Sequence, residues 1–491
     1  MTGPAKDSFV RGINLTSAIS LVVGSMIGSG IFIVSADIGR QTGAAGLILA
    51  VWGVTAIVTV MGALTQTELV GMFPKAGGQY VFLREGLGPL WGFLYGWTLL
   101  LVIQTGTIAA VAVAFARFLA VLVPSVTPDV FLSLGHVPAL GDVLFSLIGR
   151  PPASPQAIEV GLSAQRLVGM GTVVVLTWIN VRGVRQGAWI QTMLTVLKVV
   201  GVGGLILAGL TFGRQPAASA QNFGHLFDGV TLDWSLVPLV GAAMVGSMFS
   251  SDAWNNVTFA AGEVRDPRRN LPLAMIAGTL IVGSIYLLVN LSYLSVLPLA
   301  DIQHAPQDRV AIAAMQVVFG DTGRTLMAVL IMISTFGCNV GLILAGARVS
   351  WAMARDGLFF RAVGSLDPVH HTPKAALWVQ CLWTCVLAMS GTYSQLLDYV
   401  IFAAVLFFFL TCVALVRLRF TRPDVERPVR AFAWPLLPAA YLLATGTLLV
   451  VLLVRKPLYT WPGVFIVALG IPVYVIWKRM GSGSMETPAA G

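Results

Sequence analysis

The sequence predicts an all-α membrane protein that crosses the bilayer many times. Residues of the AVILMFWYC set make up 57% of its 491 residues and charged residues only 10%, whereas about a quarter of a soluble domain is charged. Twelve apolar runs approach or exceed the roughly 20 residues that a helix needs to span a bilayer. Basic residues gather in alternate loops between these runs, as the positive-inside rule requires. This composition excludes a soluble, a disordered or a collagen-like chain.

The runs divide into two groups of five and a final pair. They lie at 15–38, 46–69, 87–123, 167–181, 190–212, then 236–261, 271–297, 325–354, 375–389, 397–415, and finally 434–453 and 461–477. We therefore predict a first five-helix repeat at 13–212, a second at 236–416, helices 11 and 12 at 434–479, and cytoplasmic tails at 1–12 and 480–491. The hydrophilic stretch 124–166 is rich in Pro, Ser and Gly, and we expect an irregular extracellular loop there.

The positions of the basic residues predict the orientation. With the N-terminus inside, cytoplasmic segments hold 20 of the 30 Lys and Arg residues, outer segments hold 9, and Lys198 is the remaining one. Both termini are then cytoplasmic. The net charge of +9 therefore records topology, and it gives no support to nucleic-acid binding. The excess of Arg over Lys, 24 to 6, indicates a GC-rich genome and hence a bacterial inner membrane.

Two runs contain signs of an interrupted helix. In the first run, VGSMIGSGIF at 23–32 places Gly24, Gly28 and Gly30 within seven residues. Glycine inside a helix costs about 0.5–1 kcal/mol relative to alanine, which favours a break; close helix packing through a GxxxG pattern is the alternative. The sixth run repeats the tetrapeptide VGSM, in VGSMFSSDAW at 245–254.

The first and sixth runs are the corresponding members of the two groups of five. Because five is odd, the second group enters the membrane from the opposite side and is inverted relative to the first. Interrupted helices at matching positions are typical of transporters whose site lies at mid-membrane. Freed amides suit a carboxylate and freed carbonyls suit an ammonium group. An α-amino acid carries both.

The stretch GSMIGSGIF at 24–32 resembles the first-helix signature of the amino acid/polyamine/organocation superfamily, and within it the L-type amino acid transporter branch. Further matches follow in the family's order: TELVGMFPKAGGQY at 67–80, FSSDAWN at 249–255, EVRDPRRNLPL at 263–273 and RPDVERPV at 422–429. The resemblance implies a LeuT-type fold of five plus five inverted helices and two more, with helices 1 and 6 discontinuous.

The resemblance also implies a substrate site. It assigns the substrate carboxylate to the amides of Ser29, Gly30 and Ile31, and the ammonium to carbonyls near Met26, Ile27 and Phe249. Phe249 matches an aromatic lid over the substrate, although an ordinary core phenylalanine is the alternative. Gly28 and Asn255 match positions that support the unwound segments, and for Asn255 a plain interhelical hydrogen bond is the alternative.

Lys198 lies near the middle of the fifth run. A lysine at the bilayer centre costs roughly 2.5–3.5 kcal/mol on insertion scales, so we expect it to face a polar interior; snorkelling to the cytoplasmic headgroups is the alternative. In sodium-driven relatives Na⁺ bridges helices 1 and 8 at this depth. The resemblance implies that the ammonium replaces it here, either as a fixed cation or as a proton-coupling group.

Asp252 is the second intramembrane charge of interest, next to the predicted break of helix 6. It could face a cationic substrate side chain, pair with the substrate ammonium, or cap the second half of helix 6. The position resembles that of an acidic residue in a branch member that carries cystine and basic amino acids, whereas neutral-selective members tend to have glycine.

The sequence predicts a sodium-independent amino-acid exchanger, with a proton-coupled amino-acid or polyamine symporter as the alternative and a channel or membrane-embedded sensor as a remote one. No hydrolase triad, P-loop or HExxH motif is present, so we expect no enzymatic activity, cofactor or metal. Animal branch members join a glycoprotein heavy chain through a cysteine between helices 3 and 4. Stretch 124–166 contains none, so we expect no disulfide-linked heavy chain. The expected partners are the amino-acid substrate and the lipid bilayer.

Overall fold

A computed structural model describes residues 9–150, 157–231, 233–390 and 393–482, without the side chains of 184–188, 393–399 and 480–482. Of the two predicted tails, 1–8 and 483–491 lie outside the described residues. Within the described residues the chain is mostly helical, and every predicted run coincides with a helix or a pair of helices. We number the helices α1 to α12 after these runs.

The first half contains α1a (Leu15–Met26), α1b (Gly30–Thr42), α2 (Ala45–Met72), α3 (Pro89–Leu122), α4 (Ala164–Val181) and α5 (Val184–Leu210). The second half contains α6a (Leu236–Ser250), α6b (Asn256–Phe259), α7 (Pro267–Val296), α8 (Val310–Arg355), α9 (Lys374–Ser390) and α10 (Tyr393–Thr421). The last two helices are α11 (Leu436–Arg455) and α12 (Pro457–Ser482). Short helices in the connections lie at Gln79–Leu87, Leu140–Leu147, Pro216–Gly224 and Leu299–Gln303.

The helices have the lengths and composition of a multi-pass membrane protein. Within the described ranges, nine are long and apolar enough to cross a membrane, and α1a with α1b makes one further span bent by 41°. Helices α6a and α9 are also apolar but have only 15 and 17 residues. The chain is thus a polytopic membrane protein, while the count of twelve spans stays a prediction.

Helices at corresponding positions of the two halves pack against each other. Helix α2 lies on α7, α3 on α8 and α4 on α9, and α1b lies on α6a. Helix α1a is surrounded by α5, α7 and α8. This pairwise arrangement packs the two halves together and places α1a, α1b and α6a inside the bundle, while the repeat itself stays a prediction.

The prediction of an irregular loop between α3 and α4 is wrong. Strands β1 (Val130–Pro138) and β2 (Ala157–Ser163) form an antiparallel hairpin, and the helix Leu140–Leu147 lies between them. Val occurs in both segments, Phe131 in β1 and Ile158 in β2, and these residue types favour strands. The Gly and Pro content of the stretch therefore marked turns and a bulged strand rather than an absence of secondary structure.

Lys198 is not alone as a basic side chain buried within a predicted span, since Arg348 in the run 325–354 is buried as well. Arg348 is 1% exposed, and its Nε and Nη2 lie 3.0 and 2.9 Å from Oε1 of the equally buried Glu263. Glu68 at the end of α2 is likewise buried and pairs with Arg419 and Arg427. Each carboxylate lies far from its partner in the sequence, so the run pattern alone could not reveal the pairs.

Candidate substrate site

Helix 1 is interrupted where the glycines cluster. Helix α1a ends at Met26 and α1b begins at Gly30. A Cβ on Gly30 would lie 2.0 Å from Ser250 Oγ, and one on Gly24 would lie 2.1 Å from Gln191 Nε2. Both interpretations of the cluster are therefore correct, because the helix breaks at 27–29 and its glycines also permit close packing.

Helix 6 is interrupted at the matching place. Helix α6a ends at Ser250, a turn covers 251–255, and α6b begins at Asn256. Within the turn Ala253 has a φ of 68°, in the left-handed region that costs a non-glycine residue free energy. The two breaks face each other, since α1b packs on α6a.

The ends of the half-helices supply backbone polar groups to this region. The amides of Gly30 and Ile31 lie in the first turn of α1b, where a helix provides no acceptors, at the positive end of its dipole. On α7, Tyr286 Oη lies 2.8 Å from the carbonyl oxygens of both Met26 and Ser250, the last residues of α1a and α6a. Tyr286 therefore ties the two broken helices together, a role that nothing in the local sequence indicated.

A cavity of only about 10 Å³ lies between the two breaks. Six of the predicted site residues line it, together with six others: Met26, Gly28, Ser29, Gly30, Phe249 and Asp252, and Ser25, Thr107, Val111, Ser250, Ala253 and Cys338. The other predicted residues, Ile27, Ile31, Lys198 and Asn255, lie outside this lining. Phe249 is buried at the cavity wall.

Lys198 lies behind the cavity, near the midpoint of α5. Its Nζ donates hydrogen bonds of 2.9 Å to three carbonyl oxygens, those of Gly24, Ile27 and Ser334. An ammonium group has three donors, so all are used, and the side chain is 0% exposed. Snorkelling is therefore excluded. The ammonium joins α1 at its break to α8, where Ser334 Oγ also lies 3.0 Å from the Ile27 carbonyl oxygen.

Asp252 brings a carboxylate to the cavity. It is 9% exposed, and within the described residues no basic side chain lies within 4.0 Å of it. Its side chain accepts a hydrogen bond from the backbone N–H of Ala253. The N-cap of α6b is Asn255, so Asp252 does not occupy the capping position that was one of its three predicted roles.

Asn255 is held by residues of two other elements. Its Nδ2 donates a 2.5 Å hydrogen bond to Gln79 Oε1, and Gln79 Nε2 donates a 2.8 Å hydrogen bond to Thr411 Oγ1 of α10. The residue therefore braces the turn of helix 6 against the Gln79–Leu87 helix and α10. Gln79 falls within the matched stretch 67–80, but its sequence position gave no sign of this contact.

Further contacts join neighbouring elements beyond the cavity lining. On the side of α1a, the Glu263–Arg348 pair lies beneath Phe9, whose ring centroid is 4.6 Å from that of Trp351. On the side of α1b, Arg40 Nη1 lies 2.6 Å from Asp308 Oδ1. The cavity is thus a small space near backbone amides and carbonyls and one carboxylate. Among the described residues, no group of three His, Cys, Asp or Glu could hold a metal.

Comparisons with known proteins agree with this arrangement. The family described as amino acid permease matches residues 13–477. The human b(0,+)-type amino acid transporter 1 is 28% identical over 462 residues, which cover 93% of this chain and 85% of that protein. The mouse large neutral amino acids transporter small subunit 2 is 30% identical over 481 residues, covering 95% of this chain and 81% of that protein. The chain therefore belongs to the amino acid permease family.

Proposed function

We propose that the chain exchanges neutral and cationic L-amino acids by alternating access and does so without sodium. The relatives named above are transporters of b(0,+) type and of large neutral amino acids. A site between two interrupted helices suits alternating access, because the two breaks can open to either side in turn. We assign the chain no enzymatic activity, cofactor or resident metal.

The observation that carries sodium independence is the position of Lys198. Its ammonium donates to the carbonyls of Gly24, Ile27 and Ser334 and thereby supplies a fixed positive charge between α1 and α8. Backbone and hydroxyl oxygens of this kind are also good ligands for a hard cation. With the ammonium in place those oxygens are already engaged.

The two classes of substrate follow from the cavity wall. Amides at Ser29, Gly30 and Ile31 suit the carboxylate of any α-amino acid, and carbonyls near Met26, Ile27 and Phe249 suit its ammonium. Phe249 would close over the bound molecule, with Gly28 and Asn255 supporting the unwound segments. Asp252 lines the cavity without a basic partner, so it can pair with the cationic side chain of arginine or lysine.

We place the protein in the cell membrane, which for a bacterium is the inner membrane, with both termini in the cytoplasm. The hairpin β1–β2 between α3 and α4 contains no cysteine, since Cys338, Cys381, Cys385 and Cys412 are all in helices. We therefore expect transport without a disulfide-linked heavy chain, although one relative is named a small subunit.

The proposal is tested with the purified chain in liposomes. Uptake of labelled leucine should be equal in sodium and in choline buffer, and unlabelled leucine, alanine and arginine should compete with it, whereas putrescine should not. A requirement for sodium would contradict the role of Lys198. Accumulation in empty liposomes driven by an imposed pH gradient would instead indicate the proton-coupled alternative.

A further inference from the structure

Beside the transport site, α1a, α5 and α8 meet at buried polar side chains, of which Ser25 also lines the cavity and Gln191 does not. Gln191 of α5 is 1% exposed, and in the described part of the chain neither its amide nitrogen nor its amide oxygen has a hydrogen-bond partner. Ser25 Oγ of α1a is equally without one. Gln191 precedes Lys198 by seven residues, or about two turns, so both lie on the same face of α5.

Glycines allow the neighbouring helices to enclose this amide. A Cβ on Gly24 of α1a would lie 2.1 Å from Gln191 Nε2. A Cβ on Gly341 of α8 would lie 2.4 Å from Ser25 Oγ and 3.0 Å from Gln191 Nε2. The amide is therefore held between two backbones that offer it no hydrogen bond, whereas Thr195 one turn away donates to a backbone carbonyl.

Such an arrangement lowers the stability of the folded protein. A buried amide without partners loses the hydrogen bonds that it makes in water, while an apolar side chain of the same shape would lose none. Separation of α1a from α5 would let water reach both polar atoms of Gln191 and restore those bonds. The closed packing of these three helices is therefore less stable than it would be with an apolar residue at this position.

We propose that Gln191 is a positioning residue for the transport cycle. Its unpaired amide biases the protein away from this closed arrangement and toward one in which α1a has separated from α5 and α8. The inference rests on the proposed alternating access, because it attributes the lower stability of one state of that cycle to the buried amide of Gln191. It assigns Gln191 no contact with the substrate.

The test replaces Gln191 by methionine, which keeps the length of the side chain and removes its polar atoms. We expect Gln191→Met to raise the melting temperature of the full chain by about 2 °C or more and to slow amino-acid exchange about threefold or more. The matched control is Gln104→Met. Gln104 is also buried, but its Nε2 donates a 2.7 Å hydrogen bond to the Leu342 carbonyl, so this variant should melt at a lower temperature.

A second readout does not depend on transport. In Thr195→Cys, the new thiol is buried between α1a and α5. It should react with a membrane-impermeant thiol reagent only when these helices separate. The labelling of the four native cysteines, measured on the chain without this substitution, is subtracted. Adding Gln191→Met should slow this labelling. A fall in melting temperature like that of Gln104→Met, or a rise with labelling unchanged, would overturn the proposal. If the wild type shows no exchange, the proposed function fails, while melting and labelling still decide the role of Gln191.

Discussion

Replacing Lys198 by methionine should abolish transport while leaving the fold intact. Methionine has similar length and no charge, so Lys198→Met removes three hydrogen bonds from a charged donor, each contributing about 1.5–3 kcal/mol. Against this loss stands the cost of burying an ammonium, which amounts to several kcal/mol in a protein. The two terms largely cancel, so we expect a net destabilisation of no more than about 3 kcal/mol.

The consequences for the backbone are local. The Ile27 carbonyl keeps a neighbouring hydroxyl, because Ser334 Oγ lies 3.0 Å away. The Gly24 carbonyl, in the last turn of α1a, loses the ammonium that joins it to α8. The connection between α1 and α8 therefore weakens at the break, next to the proposed substrate site.

The assay is exchange of labelled leucine in liposomes, together with the melting temperature of the purified variant. We expect at least a tenfold loss of exchange, equivalent to about 1.4 kcal/mol in the barrier, with a well-folded protein. Lys75→Met is the control, since Lys75 is exposed in the connection after α2. Wild-type exchange by Lys198→Met at an unchanged melting temperature would refute the role of the ammonium.

Three further substitutions test other parts of the site. Asp252→Asn should reduce uptake of arginine more than uptake of leucine, as measured by the ratio of the two initial rates; an unchanged ratio would argue against recognition of cationic side chains. Gly30→Ala would bring its Cβ within 2.0 Å of Ser250 Oγ and should abolish leucine uptake. Gly171→Ala, with no atom within 4 Å of the new Cβ, should transport normally, and equal loss in both would remove the steric explanation. Arg348→Met leaves Glu263 buried without its partner, which should cost about 3–5 kcal/mol and lower the melting temperature. Adding Glu263→Gln should recover most of that loss, and a purely additive double variant would show that the pair is not coupled.

The sequence predicted the features that depend on local pattern. Apolar runs located helices α1 to α12, because burial in lipid requires a continuous apolar segment, but they did not locate the short helices of the connections. The glycines at 24, 28 and 30 located the break of helix 1, and the repeated VGSM located that of helix 6. The resemblance then supplied six residues that line one cavity.

Features that depend on long-range contacts were not predictable in this way. Gln79 and Thr411 are 332 residues apart, and Tyr286 reaches Met26 across 260 residues. A tyrosine or a glutamine in an apolar helix carries no local signal for such a partner, because the partner lies far away in the sequence. The pairing of Glu263 with Arg348 was hidden for the same reason, because 85 residues separate them.

The central claim is that substrate on one side exchanges for substrate on the other through the site between α1 and α6. The most direct test compares liposomes loaded with unlabelled leucine or arginine with empty ones, in sodium-free buffer at equal pH on both sides. The account predicts that either internal amino acid accelerates uptake of labelled leucine at least severalfold over empty liposomes. Equal uptake into loaded and empty liposomes would contradict it.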